Sequence, residues 1–433
     1  MQRSTPTSLL LRRMTASAVL DALRSGGPMT GSDLIDATGL ARPTVHVVCN
    51  DLIRLGWIRE TGNRRPDSRR GRPARVYEFQ SRAGFVLGID ATDRVTVRLA
   101  DLRGDRVAES SEPLAHVSVP ADDRVAAVCR QIGRVLALAG VEPAHVLAVT
   151  LGVPTSVDAD GRPLGRETYL PGLPGRDLGP EIGGQFGWPV LVENDANLAA
   201  WGERWRGVAA GIDDLVVLLA DERLGSGLFS DGRPVRGHRG GAGELRLLEL
   251  MERVGSTYGI AWLLRTLGAE AVAGLGRSGP STGGPSGGGS SGGGPGRVLW
   301  KLSGGDPAAV ATTTVLEAAR AGDEVALEVV DEVADRMAHA IAAVAGLLNP
   351  ELVVISGAMA DAGDLLLDRI GDRLVPDLID LPPRLAMSSL GDQAVVVGAV
   401  RMALDHVEAS LLGSPGAAPW KEAPALAAAP TQD

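Results

Sequence analysis

Asn194 and Asp195 stand where an apolar run, Val190-Leu191-Val192, gives way to a helical pattern in the stretch VENDANLAAWGERWRG, residues 192–207. The hand-over from strand to helix is the usual place for a ligand in an α/β sheet. A carboxylate there can accept a hydrogen bond from a hydroxyl or act as a base, and the amide beside it supplies both a donor and an acceptor. The same two residue types also cap helices. On residue chemistry alone the two roles stand level.

A second concentration of chemistry lies towards the N-terminus. Residues 64–75 hold six arginines, Arg64, Arg65, Arg69, Arg70, Arg72 and Arg75, with one Asp and the tripeptide Arg72-Pro73-Ala74. Arginines gathered in this way suit phosphates or a narrow minor groove. They fall between Trp57-Ile58-Arg59 and Arg75-Val76-Tyr77, which read as two strands of a hairpin. The alternative for such a run is a disordered loop. Charge balance supports the first reading. Residues 1–82 carry 14 Arg against 7 acidic residues, a balance of +7, which leaves −17 for the remainder of a chain whose net charge is −10. A basic head on an acidic body suggests a polyanion-binding domain joined to something else.

The elements ahead of the arginines fit that role. Ala16, Val19, Leu20 and Leu23 repeat at helical spacing, and Gly26-Gly27-Pro28 ends the helix. Thr30 is placed to cap a short helix, GSDLIDAT, with Leu34 and Ile35 inward and Gly39 turning out of it. A third helix starts near Pro43, and Val45, Val48, Leu52 and Leu55 form its expected buried stripe. Helix, short helix, turn and helix is the helix-turn-helix layout, whose last helix enters the major groove. Arg42, Thr44, His46 and Asn50 lie off the apolar stripe and are the candidates for base edges or phosphates.

The chain of 433 residues is long enough for two or three domains, and 44% hydrophobic with 22% charged residues describes a protein with a sizeable core. No apolar run approaches the roughly 20 residues that cross a bilayer, and no signal peptide is read in MQRSTPTSLLLRRM. Cys49 and Cys129 form no CxxC pair, which fits a reduced cytoplasm and offers no thiol set for a metal.

Beyond residue 84, FVLGID from Phe85 reads as a buried strand, followed by an alternating strand through Val95, Val97 and Leu99 and a third after Gly104. A helix through Val125, Val128, Ile132, Val135 and Leu136 precedes further strands at Val146 and Pro189. Leu215–Ala220 is another apolar strand, and a long helix starts at Asp323. Residues 276–296 are Gly, Ser or Pro at 19 of 21 positions, which suits a flexible loop. No Lys-Ser/Thr closes that segment, so it is not a phosphate loop. The Ala/Pro-rich stretch after Leu412 reads as a disordered tail.

Several of these stretches resemble the ROK family (repressors, open reading frames and sugar kinases). The stretch at 192–207 is similar to the family's END-A-N-x-A-A-x-GE signature, and Ala242-Gly243-Glu244 to its AGE segment. LNPELVVISG resembles LNPE-x-VV-I-G-G, and the Arg-rich hairpin resembles the winged head of ROK repressors. The resemblance implies an α/β multidomain chain. A winged helix-turn-helix over 1–80 precedes a two-lobed, actin-like (ribonuclease H-like) body. Its expected lobes are 84–194 and 195–390, with a C-terminal helix over 391–411 returning to the first lobe and a tail over 412–433. In the family's kinases the residue matching Asp195 is the sugar-facing base, and that matching Glu244 hydrogen-bonds sugar hydroxyls. Asn194, Asp195 and Glu244 are thus the expected ligand residues.

Departures from the pattern bear on function. The family's first phosphate turn, D-I-G-G-T-K, is here Asp90-Ala91-Thr92-Asp93-Arg94, and the second, G-T-G-I-G-x-G, is Asp221-Glu222-Arg223-Leu224-Gly225-Ser226-Gly227. Both lose glycine and gain a carboxylate, so triphosphate meets like charge and a blocked backbone. The family's zinc His falls on Leu247, and its cysteine ligands are absent from 248–262. The expectation is a cytoplasmic transcriptional regulator, a repressor in kind, that is not an enzyme and takes neither cofactor nor metal. It would bind a two-fold DNA operator as a homodimer or homotetramer and answer to a sugar or sugar phosphate. An ATP-dependent sugar kinase with an accessory DNA-binding head is the alternative, and a regulator answering to a protein partner is a third reading.

The wing assignment has a direct test. Replacing Arg70 and Arg72 with Ala should weaken binding to every DNA sequence, and the slope of log K against log salt should fall by about 0.9 for each lost phosphate contact. A salt titration in which the double variant matches the wild type would sink the assignment.

Overall fold

A computed structural model describes residues 6–61, 75–184, 186–251, 253–278, 295–357, 363–374 and 381–411. These divide into two compact units, one of residues 1–151, 166–192 and 399 onward, the other of 152–165 and 193–398. The grouping places 152–165 with the later half of the chain, where the signature lies.

The first unit begins with the helix-turn-helix. Its elements are α1 (Pro6–Gly26), β1 (Met29–Thr30), α2 (Gly31–Thr38), α3 (Arg42–Arg54), β2 (Ile58–Thr61) and β3 (Val76–Phe79). Thr30 caps α2 in a reciprocal box: its hydroxyl accepts from Asp33 N at 3.2 Å, and the Asp33 carboxylate accepts from Thr30 N at 2.9 Å. Gly39 ends α2 at φ +68°, a left-handed conformation that glycine adopts without a Cβ penalty. Val19, Leu20, Leu23, Leu34, Val45, Val48, Leu52 and Trp57 close the core of the head. Leu55 departs from its expected place on the buried stripe. It lies at the end of α3, 37% exposed, and Cys49 is buried instead. Burial without a partner charge pushes the Cys49 thiol up to about 11. The expected hairpin pairs β2 with β3, and β1 adds a third strand through Met29 opposite Tyr77.

The rest of this unit is built on β4 (Phe85–Ala91), β5 (Arg94–Asp101), β6 (Arg106–Pro113), α4 (Ala121–Ala139), β7 (Val146–Val153), α5 (Leu178–Gly183) and β8 (Val190–Asn194), the last two residues of β7 and of β8 being grouped with the second unit. The strands form one sheet in the order β6-β5-β4-β7-β8, with β4, β5 and β6 antiparallel in succession. All seven residues of β4 are buried, the apolar run over 85–89 together with Asp90 and Ala91.

The second unit holds α6 (Asp195–Arg206), β9 (Leu215–Ala220), β10 (Leu224–Ser230), β11 (Arg233–Pro234), α7 (Ile260–Ser278), α8 (Arg297–Leu302), α9 (Thr312–Arg320), α10 (Glu324–Leu348), β12 (Leu352–Ser356), α11 (Gly363–Arg373) and β13 (Arg384–Met387). Strand order is β11-β10-β9-β12-β13; β9 pairs antiparallel with β10 and parallel with β12. Helices α7, α9, α10 and α11 cover the sheet with one continuous apolar core. Asp323 caps α10 through Val325 N and Ala326 N, both at 3.1 Å, and its other oxygen accepts from Val298 N and Leu299 N at the start of α8. The expected loop over 276–296 starts later than its composition suggests. Gly276 and Arg277 belong to α7, with the Trp300 ring against Gly276, and residues 279–294 lie outside the described residues.

The last helix, α12 (Ala394–Leu411), spans the division at 398/399. Its first residues lie against α6 with no side chain between the backbones: a Cβ on Gly202 would overlap Ala394 O, and one on Gly398 would overlap Leu198 O. Farther along, Glu408 accepts from the Arg24 guanidinium of α1 within the first unit. Gly398→Ala should therefore lower the apparent unfolding midpoint, because overpacking of this kind costs about 1–3 kcal/mol. Gly133, inside α4, faces open space at its Cβ position, so Gly133→Ala should raise stability by about 0.5–1 kcal/mol. Thermal unfolding of the two variants should move in opposite directions; shifts of the same sign would refute the close-packing argument.

Candidate functional site

Helix α3 exposes Arg42, His46, Val47 and Asn50, leaves Thr44 half-buried, and turns Val45, Val48, Cys49 and Leu52 inward. His46 Nδ1 and Asn50 Nδ2 lie 3.2 Å apart across one turn. Arg75, at the start of β3, approaches the Glu60 carboxylate at 3.5 Å, both half exposed. Arg64, Arg65, Arg69, Arg70 and Arg72 lie outside the described residues. Val47 is not among the polar side chains off the stripe, yet it is exposed beside them. Its signal was an apolar residue outside the 45, 48, 52 spacing.

In the second unit the signature folds as a capped helix start. Asn194, in extended backbone, is the N-cap of α6: its Oδ1 accepts from Asn197 N at 3.1 Å. Its Nδ2 donates to Asp195 Oδ1 at 2.9 Å, and that oxygen also accepts from Ala196 N at 2.8 Å. Capping is thus part of what both residues do. Glu193, nearly fully buried, accepts from Asn194 N at 2.9 Å, from Asn197 Nδ2 at 3.0 Å and from Arg236 Nε at 2.7 Å. Three donors, one of them charged, satisfy a carboxylate that burial would otherwise penalise.

Asn194 does more than cap. With Ser156, Asn197, Ser226, Gly243 and Glu244 it lines a cavity of about 40 Å³. Two expected ligand residues, Asn194 and Glu244, thus share one cavity, and Asp195 joins it through its bond to Asn194 rather than as a wall. The void holds a few waters. The segment carrying Glu244 is pinned where it passes β10. Ser226 Oγ donates to Gly243 O at 2.7 Å, and a Cβ on Gly243 (φ +86°) would come within 2.6 Å of Ser226 O. Ser156, Asn197 and Ser226 were not singled out in the sequence. No spacing rule links them, and only the fold brings them together.

The two turns that replace the glycine-rich loops are short and internally bonded. In the first unit Ala91 pairs with Val95, and Asp90 accepts from Thr92 N at 3.1 Å and Thr92 Oγ1 at 2.9 Å. The buried guanidinium of Arg124 donates to the carbonyls of Ala91, Thr92 and Val117. Asp93 sits exposed at the tip. In the second unit Ala220 pairs with Leu224 across Asp221, Glu222 and Arg223. Glu222 takes a two-pronged bond from Arg265 at 2.8 and 2.6 Å. The Asp221 carboxylate lies over Gly357, at the end of β12, so closely that a Cβ there would collide with it. Gly225 and Gly227 survive for packing: a Cβ on Gly227 would overlap Ala196 O and come within 2.7 Å of Ala200 Cβ. Leu247, where the family's zinc His would fall, is 77% exposed, and His238 is exposed as well. Among the described residues no group of three or more His, Cys, Asp or Glu is placed to hold a metal ion.

Comparison with known proteins joins these observations. Residues 95–406 match the ROK family, and residues 11–70 match the MarR family. The xylose repressor of Caldicellulosiruptor bescii is 23% identical over 410 residues, covering 92% of this chain and 97% of the repressor. A glucokinase of Halalkalibacterium halodurans is 31% identical over 219 residues, covering 48% of this chain and 62% of the enzyme. The crystal structure of a ROK family transcriptional regulator, described as a homolog of the E. coli MLC protein, aligns with a TM-score of 0.68 at 23% identity, covering 93% of this chain and 99% of that one. The regulator likenesses extend into the helix-turn-helix, whereas the glucokinase likeness spans under half of the chain. With an actin-like ROK body behind a winged head, the chain belongs to the ROK family and is one of its transcriptional regulators.

Proposed function

We propose that this regulator is a repressor whose body senses a sugar or sugar phosphate and has no kinase activity. The observation that carries the reading is a contrast within one unit. The polar cavity at Asn194 and Glu244 is kept, while the turn at Asp221 is closed by a carboxylate over Gly357. Arg42, Thr44, His46 and Asn50 would meet DNA, with the arginines from Arg64 to Arg75 on phosphates or in the minor groove. Asn194, Asp195 and Glu244 would meet hydroxyls of the effector.

To act on the head, the effector must select one of two states of the body. Such selection needs different affinity for the two states. Helix α12 offers a covalent route from that event to the head, since it packs on α6 at one end and holds Arg24 of α1 at the other. A homodimer or homotetramer in the cytoplasm would then present two heads to a two-fold operator.

Two measurements bear on this. Purified protein with ATP, magnesium and a panel of hexoses should release no ADP above background; turnover that disappears in Asp195→Asn would put the kinase in place of the sensor. In a thermal-shift screen of monosaccharides and their phosphates, an effector at 100 times its Kd should stabilise the wild type by about 2.7 kcal/mol. Glu244→Ala should lose most of that gain. An equal shift in both proteins would move the ligand elsewhere, and a silent screen would remove the sugar-sensing role.

A further inference from the structure

We infer that Val47 is a specificity-determining residue that contacts the C5-methyl group of a thymine, with Asn50 and His46 reading polar base edges beside it. The inference rests on the DNA-binding reading above and adds which bases helix α3 prefers.

The placement follows from helix geometry. At 3.6 residues per turn, Val45, Val48, Cys49 and Leu52 mark one face of α3, and Pro43, Val47, Asn50 and Arg54 centre on the opposite one. Val47 is 54% exposed there, one turn from Asn50 and adjacent to His46. A single exposed apolar side chain is ordinarily unremarkable. This one, however, lies on the face of the second helix of a helix-turn-helix, the surface that enters the major groove. Valine is also a poorer choice than Ala, Lys or Glu for an exposed helix position, because its branched carbon restricts the first side-chain torsion. Helix stability therefore does not account for it.

The chemistry beside it is complementary to an A·T pair. An amide nitrogen can only donate, so the 3.2 Å contact makes His46 Nδ1 the acceptor and leaves the proton on Nε2. The pair then presents one imidazole N–H donor and the Asn50 carbonyl acceptor, next to the two methyl groups of Val47. In the major groove adenine offers an N7 acceptor and an N6 donor, and thymine an O4 acceptor and the methyl group. A donor, an acceptor and an apolar branch on one helix face match that set. Guanine and cytosine offer no methyl group to the branch.

The test removes one methyl group at a time. Full-length protein is used to enrich a duplex from a random DNA pool, and each thymine of the enriched half-site is then replaced singly by deoxyuridine, which lacks only that methyl. Wild type should lose about fourfold in affinity at one thymine, the value of one buried carbon at ~0.8 kcal/mol, with the other thymines near unity. In Val47→Ala the thymine and uracil duplexes should bind equally, and binding to the enriched thymine duplex should be weaker than wild type. Because Val47 is exposed and Ala favours helix, that variant keeps its fold, which unfolding curves would verify. Val47→Ala retaining the fourfold preference, or wild type indifferent to every replacement, would overturn the inference. Failure of the pool to enrich any sequence would instead overturn the sequence-specific DNA-binding reading on which it rests.

Discussion

The second unit depends on how closely backbone can approach helix α6. Strand β10 reaches it through Gly225 and Gly227, and α12 through Gly398 against Leu198 and through Ala394 against Gly202. Side chains at these places would hold the neighbours apart by the width of at least one methyl group. Close approach fixes the direction of the first turn of α6, and with it the position of Asn194 and its cavity. Glu203, fully buried farther along α6, ties the helix to its surroundings by accepting from Ser388 Oγ and from Val208 N at 3.1 Å. Burial raises the affinity of that carboxyl for its proton, and these hydrogen bonds act against the rise.

Seen from this packing, the glycines of the second phosphate turn separate into two kinds. Those that bring strand to helix, Gly225 and Gly227, remain. The positions that would open the backbone towards a phosphate now carry Asp221, Glu222 and Arg223; α7 and its lead-in engage the carbonyls of the first two and the Glu222 carboxylate. Gly259 N donates to Glu222 O at 3.1 Å and Ala261 N to Asp221 O at 3.2 Å. The carbonyls of this turn are spent on the fold itself. The same body thus keeps the ROK architecture with carboxylates and an arginine in place of turn glycines.

Polar convergence at the signature has a comparable logic. Glu193 organises its neighbours: two of its three partners, Asn194 and Asn197, belong to the helix start, and the third, Arg236, comes from the segment that leads to Glu244. The cap of α6 and the far wall of the cavity are thus linked through one buried carboxylate. Within that network the Asn194 amide is engaged at both ends, by Asn197 N and by Asp195 Oδ1.

Much of the local structure was legible in the residues. The Thr30 cap with Asp33, the Gly39 turn, the buried run of β4 and the Asp323 cap are written in residue type and short-range spacing, because each involves partners within a few positions. The missing glycines at Asp93 and Asp221 were legible for the same reason. Other features were decided only by tertiary structure. Periodicity put Leu55 inside and passed over Cys49, since it cannot say where a helix end leaves the core. It could not pair Met29 with Tyr77, nor bring Arg236 to Glu193 across 43 residues, nor gather Ser156, Asn197 and Ser226 around Asn194. It named Asn194 and Asp195 together, whereas the fold makes the first a cavity wall and the second its support. Sequence spacing records which residues share a face; which faces meet, and how much room is left between them, is set by contacts between segments far apart in the chain.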